Sequence, residues 1–290
     1  MQAMYNAEGN LINIGDTSLY VVQRGQGYPL ILLHGGPGLD HHMFADYLDA
    51  LADDYRLILV DQRANGRSDR PPQQTWTLQQ NAKDVVLLAK AMGLNKYAVL
   101  GHSYGAFVTL QNAVDFPGEA AQSIISSGVP ASRFLMPHVN KELANFEPES
   151  LRKQVTDSWA REQHVQTPQE LAALLSAQQP FHFANPLDPR IADYEKRSAG
   201  MVCSPEVLRK FSAQDYGGIE VEDRLHEIHH ATLILAGRHD RTCSAEASQF
   251  MAARIPSAQL VVFENSAHMT FVEENELYVK AVRAFLRRDQ

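Results

Sequence analysis

The sequence predicts a doubly wound α/β fold, a mostly parallel sheet with helices on both faces and a helical lid inserted between two strands. Three observations carry this expectation. Short, continuously apolar runs recur along the chain, each ending at a glycine or a polar turn. Stretches of helical period lie between them, and the strand pattern disappears over residues 131–230. Strand–helix alternation of this kind builds a parallel sheet, because parallel strands need a crossover between them.

Taken in order, the expected strands are Leu30-Ile31-Leu32-Leu33, Arg56-Leu57-Ile58-Leu59-Val60, Tyr97-Ala98-Val99-Leu100, Ser123-Ile124-Ile125, Ala231-Thr232-Leu233-Ile234-Leu235-Ala236 and Gln259-Leu260-Val261-Val262-Phe263. Apolar, β-branched runs of this length suit strands buried on both faces. Thr77, with Gln80 three residues on, reads as the cap of a helix whose Leu78, Ala82, Val85, Val86, Ala89 and Met92 share one face. A last helix is expected over residues 273–288, with Leu277, Val279, Ala281, Val282, Phe285 and Leu286 turned inward. Within residues 131–230, Thr167-Pro168-Gln169-Glu170 and Ser204-Pro205-Glu206 read as helix starts, while Pro148, Pro180, Pro186 and Pro189 divide the stretch. The expected organisation is a core of residues 1–130 and 231–290 with residues 131–230 as a lid over the ligand-binding ends of the strands.

Composition narrows the function. A hydrophobic fraction of 44% and a charged fraction of 21% are those of a globular chain, and the length of 290 allows one large domain or two modest ones. The balance of 26 Lys+Arg against 34 Asp+Glu, with no basic run, argues against nucleic acid as the partner. No apolar run approaches the roughly 18 residues that span a bilayer. Met1 to Asn6 has neither the basic nor the apolar region of a secretory signal. Cys203 and Cys243 cannot build a disulfide framework, so a reduced, cytoplasmic protein is expected.

The chemistry is concentrated at strand ends. Gly101-His102-Ser103-Tyr104-Gly105 is a G-x-S-x-G between a strand and a helix-forming run, the setting of a nucleophile elbow. A serine needs a base, and in this architecture the acid and the histidine follow in that order at later strand ends. Asp240 follows the strand ending at Ala236, and His268 the strand ending at Phe263. The expected roles are Ser103 as nucleophile, His268 as base and Asp240 as its orienting carboxylate. His34-Gly35-Gly36-Pro37-Gly38 follows an early strand, where acyl transfer requires a backbone N–H aimed at the developing oxyanion. Gly36 and Tyr104 N–H are the expected donors. No cofactor is required.

These pieces together resemble the α/β-hydrolase superfamily over nearly the whole chain. The HGGPG box, the segment Asp61-Gln62-Arg63-Ala64-Asn65-Gly66-Arg67-Ser68 and the Gly101–Gly105 elbow are similar to its proline iminopeptidase branch. That branch usually reads D-Q-R-G-x-G-x-S where this chain has Ala64, and a further glycine is frequent where it has Ala106. Asp61 and Arg63 read as parts of a turn with an internal ion pair. The resemblance implies release of N-terminal proline from short peptides, with lid carboxylates binding the free amine. One of these is a Glu before a Phe late in the lid. The matching position here is Lys210-Phe211 after Arg209, a pair of cations that would repel an ammonium. Glu195, Glu206, Glu220 and Glu222 are the candidates to replace that Glu.

Other residues read more plainly. His226-Glu227-Ile228-His229-His230 matches H-E-x-x-H, but a strand starting at Ala231 leaves no helix to carry two zinc ligands on one face, and no metal is expected. Cys243 reads as a packed thiol and His102 as a local hydrogen-bonding or pocket residue. Trp76, Trp159, Phe181, Phe183 and Tyr216 read as core or lid packing, some of them lining an apolar pocket. The sequence thus points to a serine hydrolase acting through an acyl-enzyme on a small molecule or short peptide. Its substrate is a prolyl peptide, or else a small ester or lactone; a non-catalytic ligand receptor on the same fold is the third possibility.

Overall fold

The computed structural model describes residues 8–287. The readings on Met1 to Asn6 and on Arg288 therefore lie outside the described residues. Eight strands form one sheet in the order β1-β2-β4-β3-β5-β6-β7-β8. The six expected strands are β3 (Tyr28–Leu33), β4 (Tyr55–Val60), β5 (Ala98–His102), β6 (Gln122–Ser126), β7 (Ala231–Gly237) and β8 (Ala258–Phe263), and all their pairings are parallel. Five are almost wholly buried. The sixth, β8, is half-exposed along most of its length because it forms the sheet edge.

Two further strands were not expected. β1 (Asn10–Asn13) and β2 (Ser18–Arg24) form a hairpin that pairs antiparallel onto β4. In β2, Leu19 and Val21 are buried while Ser18 and Tyr20 are half-exposed. Such alternation belongs to a strand with one solvated face and differs from the continuous apolar runs of the centre.

Helix α1 (Leu78–Ala91) begins where expected, with Thr77 Oγ1 accepting the Gln80 N–H at 3.1 Å. α2 (Tyr104–Asp115) follows β5 directly. Between β6 and β7 lie only helices and turns: α3 (Met136–Ala144), α4 (Glu149–Arg161), α5 (Pro168–His182), α6 (Arg190–Arg197), α7 (Pro205–Ser212) and the short α8 (Asp215–Gly218). The capping box of α5 forms as expected between Thr167 and Glu170. Pro180 does not break the chain; it lies buried within the last turn of α5. Ser204 does not cap α7 through its side chain, because its hydroxyl accepts from Gly66 N–H and Arg70 instead.

α9 (Ala245–Ala252) joins β7 to β8, and α10 (Thr270–Glu273) and α11 (Asn275–Leu286) close the chain. The expected helix over 273–288 is α11, which starts two residues later, at Asn275. The inward face of α11 carries Tyr278, Val279, Val282, Phe285 and Leu286, leaving Leu277 55% exposed.

The strand order places the site. From β3 the chain steps outward to β4, then crosses back to β5 on the other side of β3. The reversal puts the loops after β3 and β5 side by side at the carboxyl ends of the strands, where open α/β sheets bind ligands.

Candidate active site

Ser103 stands at the turn from β5 into α2 with φ 55° and ψ −119°, a left-handed backbone that a non-glycine residue holds only under constraint. The two glycines of the pentapeptide supply that constraint. A Cβ on Gly101 would lie 1.9 Å from the Gly105 carbonyl oxygen, and one on Gly105 would lie 2.2 Å from that of Leu33. Only hydrogen fits at either position. The Ser103 N–H is tied to the Ser126 carbonyl at 2.9 Å, fixing the turn against β6.

Asp240 and His268 extend from the ends of β7 and β8. His268 Nδ1 lies 2.9 Å from Asp240 Oδ2, and Thr242 Oγ1 is 2.7 Å from the same nitrogen. The other oxygen, Oδ1, accepts from Thr242 N–H (2.8 Å), Thr242 Oγ1 (2.8 Å) and Cys243 N–H (2.9 Å). Burial alone would raise the Asp240 carboxyl. The charge and hydrogen bond of His268, with the N–H groups of Cys243 and Thr242, hold it well below the usual carboxylate range. Asp240 is therefore a fixed anion, and it selects the His268 tautomer that carries its proton on Nδ1.

Ser103, His268, Gly36 and Tyr104 all line one cavity of about 110 Å³ between the strand ends and helices α4 to α8. Asp240 stands behind His268. Among the described residues neither Gly36 N–H nor Tyr104 N–H has a protein acceptor. Tyr104 N–H is free because it lies in the first turn of α2, and Gly36 N–H belongs to the loop after β3. The five expected residues are thus brought together.

The remaining walls are mostly apolar, among them Leu39, Phe107, Leu135, Trp159 and Leu208. Among the described residues one carboxylate faces this space, and sequence reasoning missed it. Glu162, in the turn after α4, is only 5% exposed, and burial pushes it up to about 7. Its Oε1 accepts Gln178 Nε2 at 2.7 Å, and Oε2 accepts the Tyr216 hydroxyl. The four glutamates expected in this role lie elsewhere. Glu195 accepts the Ser176 hydroxyl, Glu206 pairs with Arg70, Glu220 meets the Ser132 N–H and Glu222 pairs with Arg133. None lines the cavity, and neither does Arg209 or Lys210, so among the described residues these cations do not oppose an ammonium there.

Two histidines pack on His268. His102 is fully buried, its Nδ1 3.1 Å from Ser126 Oγ, and its ring centroid is 4.9 Å from that of His268. His182 lines the cavity with its ring centroid 5.1 Å away. Burial pushes His102 well below the ordinary histidine range and His182 down to about 3, with the neighbouring His268 adding to both. Both rings are neutral at working pH. Cys243 also lines the cavity, but burial drives its thiol far up and leaves it unreactive.

The Asp61–Ser68 segment is structural. Asp61 accepts from His41 and Arg67 N–H, and the fully buried Arg63 is held by Asp84 and Asp16. Ala64 has φ +64°, which explains why glycine suits this position. The H-E-x-x-H segment is a 3₁₀ turn ending at Glu227 followed by extended chain. Its two histidines share no helical face, and His230 Nε2 meets Ser123 Oγ at 2.8 Å. Among the described residues, Asp40, His41 and His42 are close enough together to consider as metal ligands. Arg67 already neutralises Asp40, and His41 is engaged by Asp61.

The sequence model of the alpha/beta hydrolase fold matches residues 28–275. The chain belongs to the α/β-hydrolase family. It is an enzyme, a hydrolase. A proline iminopeptidase of Clostridioides difficile (strain 630) is 30% identical over 290 aligned positions, covering 89% of each chain. The solved proline iminopeptidase of Mycobacterium smegmatis superposes with a TM-score of 0.75 at 26% identity, covering 97% of this chain and 98% of that one. The esterase of Exiguobacterium antarcticum has a TM-score of 0.74 at 22% identity over 96% and 98% of the two chains. No described helix of this hydrolase is long and apolar enough to cross a membrane.

Proposed function

We propose that this hydrolase is a serine aminopeptidase that releases a small N-terminal residue, proline above all, from short peptides. The supporting observation is the buried Glu162 carboxylate in a mostly apolar cavity that also holds Ser103 and His268. Ionised, Glu162 would bind the substrate's ammonium, and the cavity of about 110 Å³ limits the acyl side to a small group. Ser103 Oγ attacks the carbonyl as His268 Nε2 takes its proton, with Asp240 stabilising the imidazolium. Gly36 and Tyr104 N–H bind the oxyanion, the imidazolium protonates the departing amine, and the acyl-enzyme forms. Water then attacks the ester carbonyl, giving its proton to His268; the acyl–Oγ bond breaks, the imidazolium returns the proton to Ser103 Oγ, and the free acid departs. Residues 131–230 serve as the lid. The two free, buried cysteines fit a reducing, cytoplasmic setting.

The second reading is a carboxylesterase or lactonase. It is favoured by Glu162 being protonated below about 7 with both oxygens already hydrogen-bonded, so that the cavity then carries no fixed anion. A side-by-side assay separates the two. On the first reading, kcat/KM for a prolyl anilide exceeds that for a short acyl nitrophenyl ester once intrinsic leaving-group reactivity is divided out. Ester turnover alone would overturn it.

A further inference from the structure

The end of α5 is fastened to both loops that carry the candidate acid and base. Arg241, the residue after Asp240, donates Nη1 to the carbonyls of Phe181 (3.1 Å) and Phe183 (2.7 Å) and Nη2 to that of Ala184 (3.2 Å). On the other loop, the N–H groups of His268 and Met269 both donate to the His182 carbonyl, at 3.0 and 3.3 Å. Glu273 joins the two sides. Its Oε1 accepts the Ala184 N–H at 2.7 Å and its Oε2 accepts the Ala267 N–H, next to His268, at 2.8 Å. A third tie comes from α3, where His138 Nε2 lies 3.0 Å from the Asp240 carbonyl.

Burying the Glu273 carboxylate and half-burying the Arg241 guanidinium carries a desolvation cost that an apolar seam avoids, so the seam is an expensive way merely to hold a lid. What it adds is geometry. Every tie ends on Asp240, His268 or a residue directly beside one of them, apart from the Ala184–Glu273 bond, which reaches Ala267 through the other oxygen of the same carboxylate.

Building on the Ser103–His268–Asp240 reading, we propose that Arg241 and Glu273 are positioning residues. They make the seat of α5 part of what sets His268 against Ser103, so the base is correctly placed only while the lid is seated. The substrate cavity has α5 residues Gln178 and His182 in its wall, so a ligand that holds α5 down also holds the base in place.

The test is Glu273→Gln and Arg241→Met in the full chain, with Arg238→Gln as control. Arg238 lies in the same loop but, among the described residues, its guanidinium pairs only with the exposed Glu264. Glu273→Gln replaces one acceptor oxygen by an NH₂ facing a backbone N–H. Active sites are titrated with a fluorophosphonate, and kcat is expressed per titrated site. The expected result is a kcat about ten- to a hundredfold lower, the loss that follows displaced catalytic groups, with KM within about threefold. The rate of Ser103 phosphonylation falls in parallel, since it needs the same base. Arg241→Lys, retaining charge but not the three-carbonyl fork, gives an intermediate kcat and guards against misfolding of the Met variant. Per-site kcat and labelling rate equal to wild type, with losses only in melting temperature or titratable fraction, would overturn the proposal. Failure of wild-type Ser103 to label would instead remove the serine-hydrolase reading on which it rests.

Discussion

Glu162→Gln is the perturbation that most sharply divides the two substrate readings. The amide is isosteric, keeps an acceptor for Gln178 and leaves Tyr216 a partner, so the cavity retains its shape. What disappears is the charge. A carboxyl moved from 4.5 to about 7 carries a burial penalty of about 3 kcal/mol once ionised. At pH 7.5 the wild-type enzyme has already met most of that cost, while a substrate α-amino group with pKa near 8 is still mostly protonated. Removing one partner of a buried, hydrogen-bonded charge pair costs about 2–5 kcal/mol; at about 3, kcat/KM for the prolyl anilide falls roughly 150-fold. The neutral ester has no ammonium to lose and changes by less than about threefold. Steady-state kinetics on both substrates measures this directly. Equal losses on both, or none on the anilide, would refute the assignment of Glu162 to the amine. Stability supplies an independent arm. Because the folded state holds the Glu162 proton between 4.5 and about 7, its contribution is fullest below 4.5 and is lost as pH rises through about 7. The variant should therefore melt a few degrees above wild type at pH 8 and close to it at pH 5.

Ser103→Ala should lower turnover at least about a thousandfold, with Asp240→Asn close behind because the amide no longer selects the Nδ1–H tautomer; a tenth of wild-type activity in the serine variant would sink the acyl-enzyme mechanism. The ratio of anilide to ester kcat/KM should climb as Glu162 ionises with pH rising through about 7. It should decline again near 8 as the substrate amine deprotonates, and a flat ratio would contradict amine recognition by Glu162. Ala64→Gly relieves a left-handed strain of about 1–2 kcal/mol but forfeits a buried methyl and adds unfolded-state entropy, each about 0.5–1. The net change in chemical denaturation should lie within about 1 kcal/mol, whereas Ala64→Val should destabilise markedly.

What was legible in the sequence follows from where the determining forces are local. The central strands announce themselves because both faces are buried, and Ser103, Asp240 and His268 because each sits one turn past such a run. The β1–β2 hairpin is hidden by its alternation and by the exposure of Leu11, at 54%. Glu162 was missed because Arg161, Glu162 and Gln163 look like a solvated polar run. A signal existed: Val155, Ser158 and Glu162 fall at i, i+3 and i+7, and all three are buried. That spacing continues the inward face of α4 into the turn that carries the glutamate, but only the docking of α5 and α8 supplies Gln178 and Tyr216 to hold it.

The way residues 131–230 leave the sheet has an evolutionary consequence. Ala131 and Glu220 form an isolated antiparallel bridge, so the two ends of the intervening chain are held about 5 Å apart. A segment anchored so narrowly behaves as a cassette: its length can change at a closure cost that grows only logarithmically, while the sheet underneath keeps its register. Drift in substrate preference can thus be confined to residues 132–219 without renegotiating the scaffold. The freedom has one boundary. Any replacement cassette must present carbonyls to Arg241, an N–H to Glu273 and an acceptor to His268 at the same three places, and a graft lacking them would inherit the pocket of its donor without a working base beneath it.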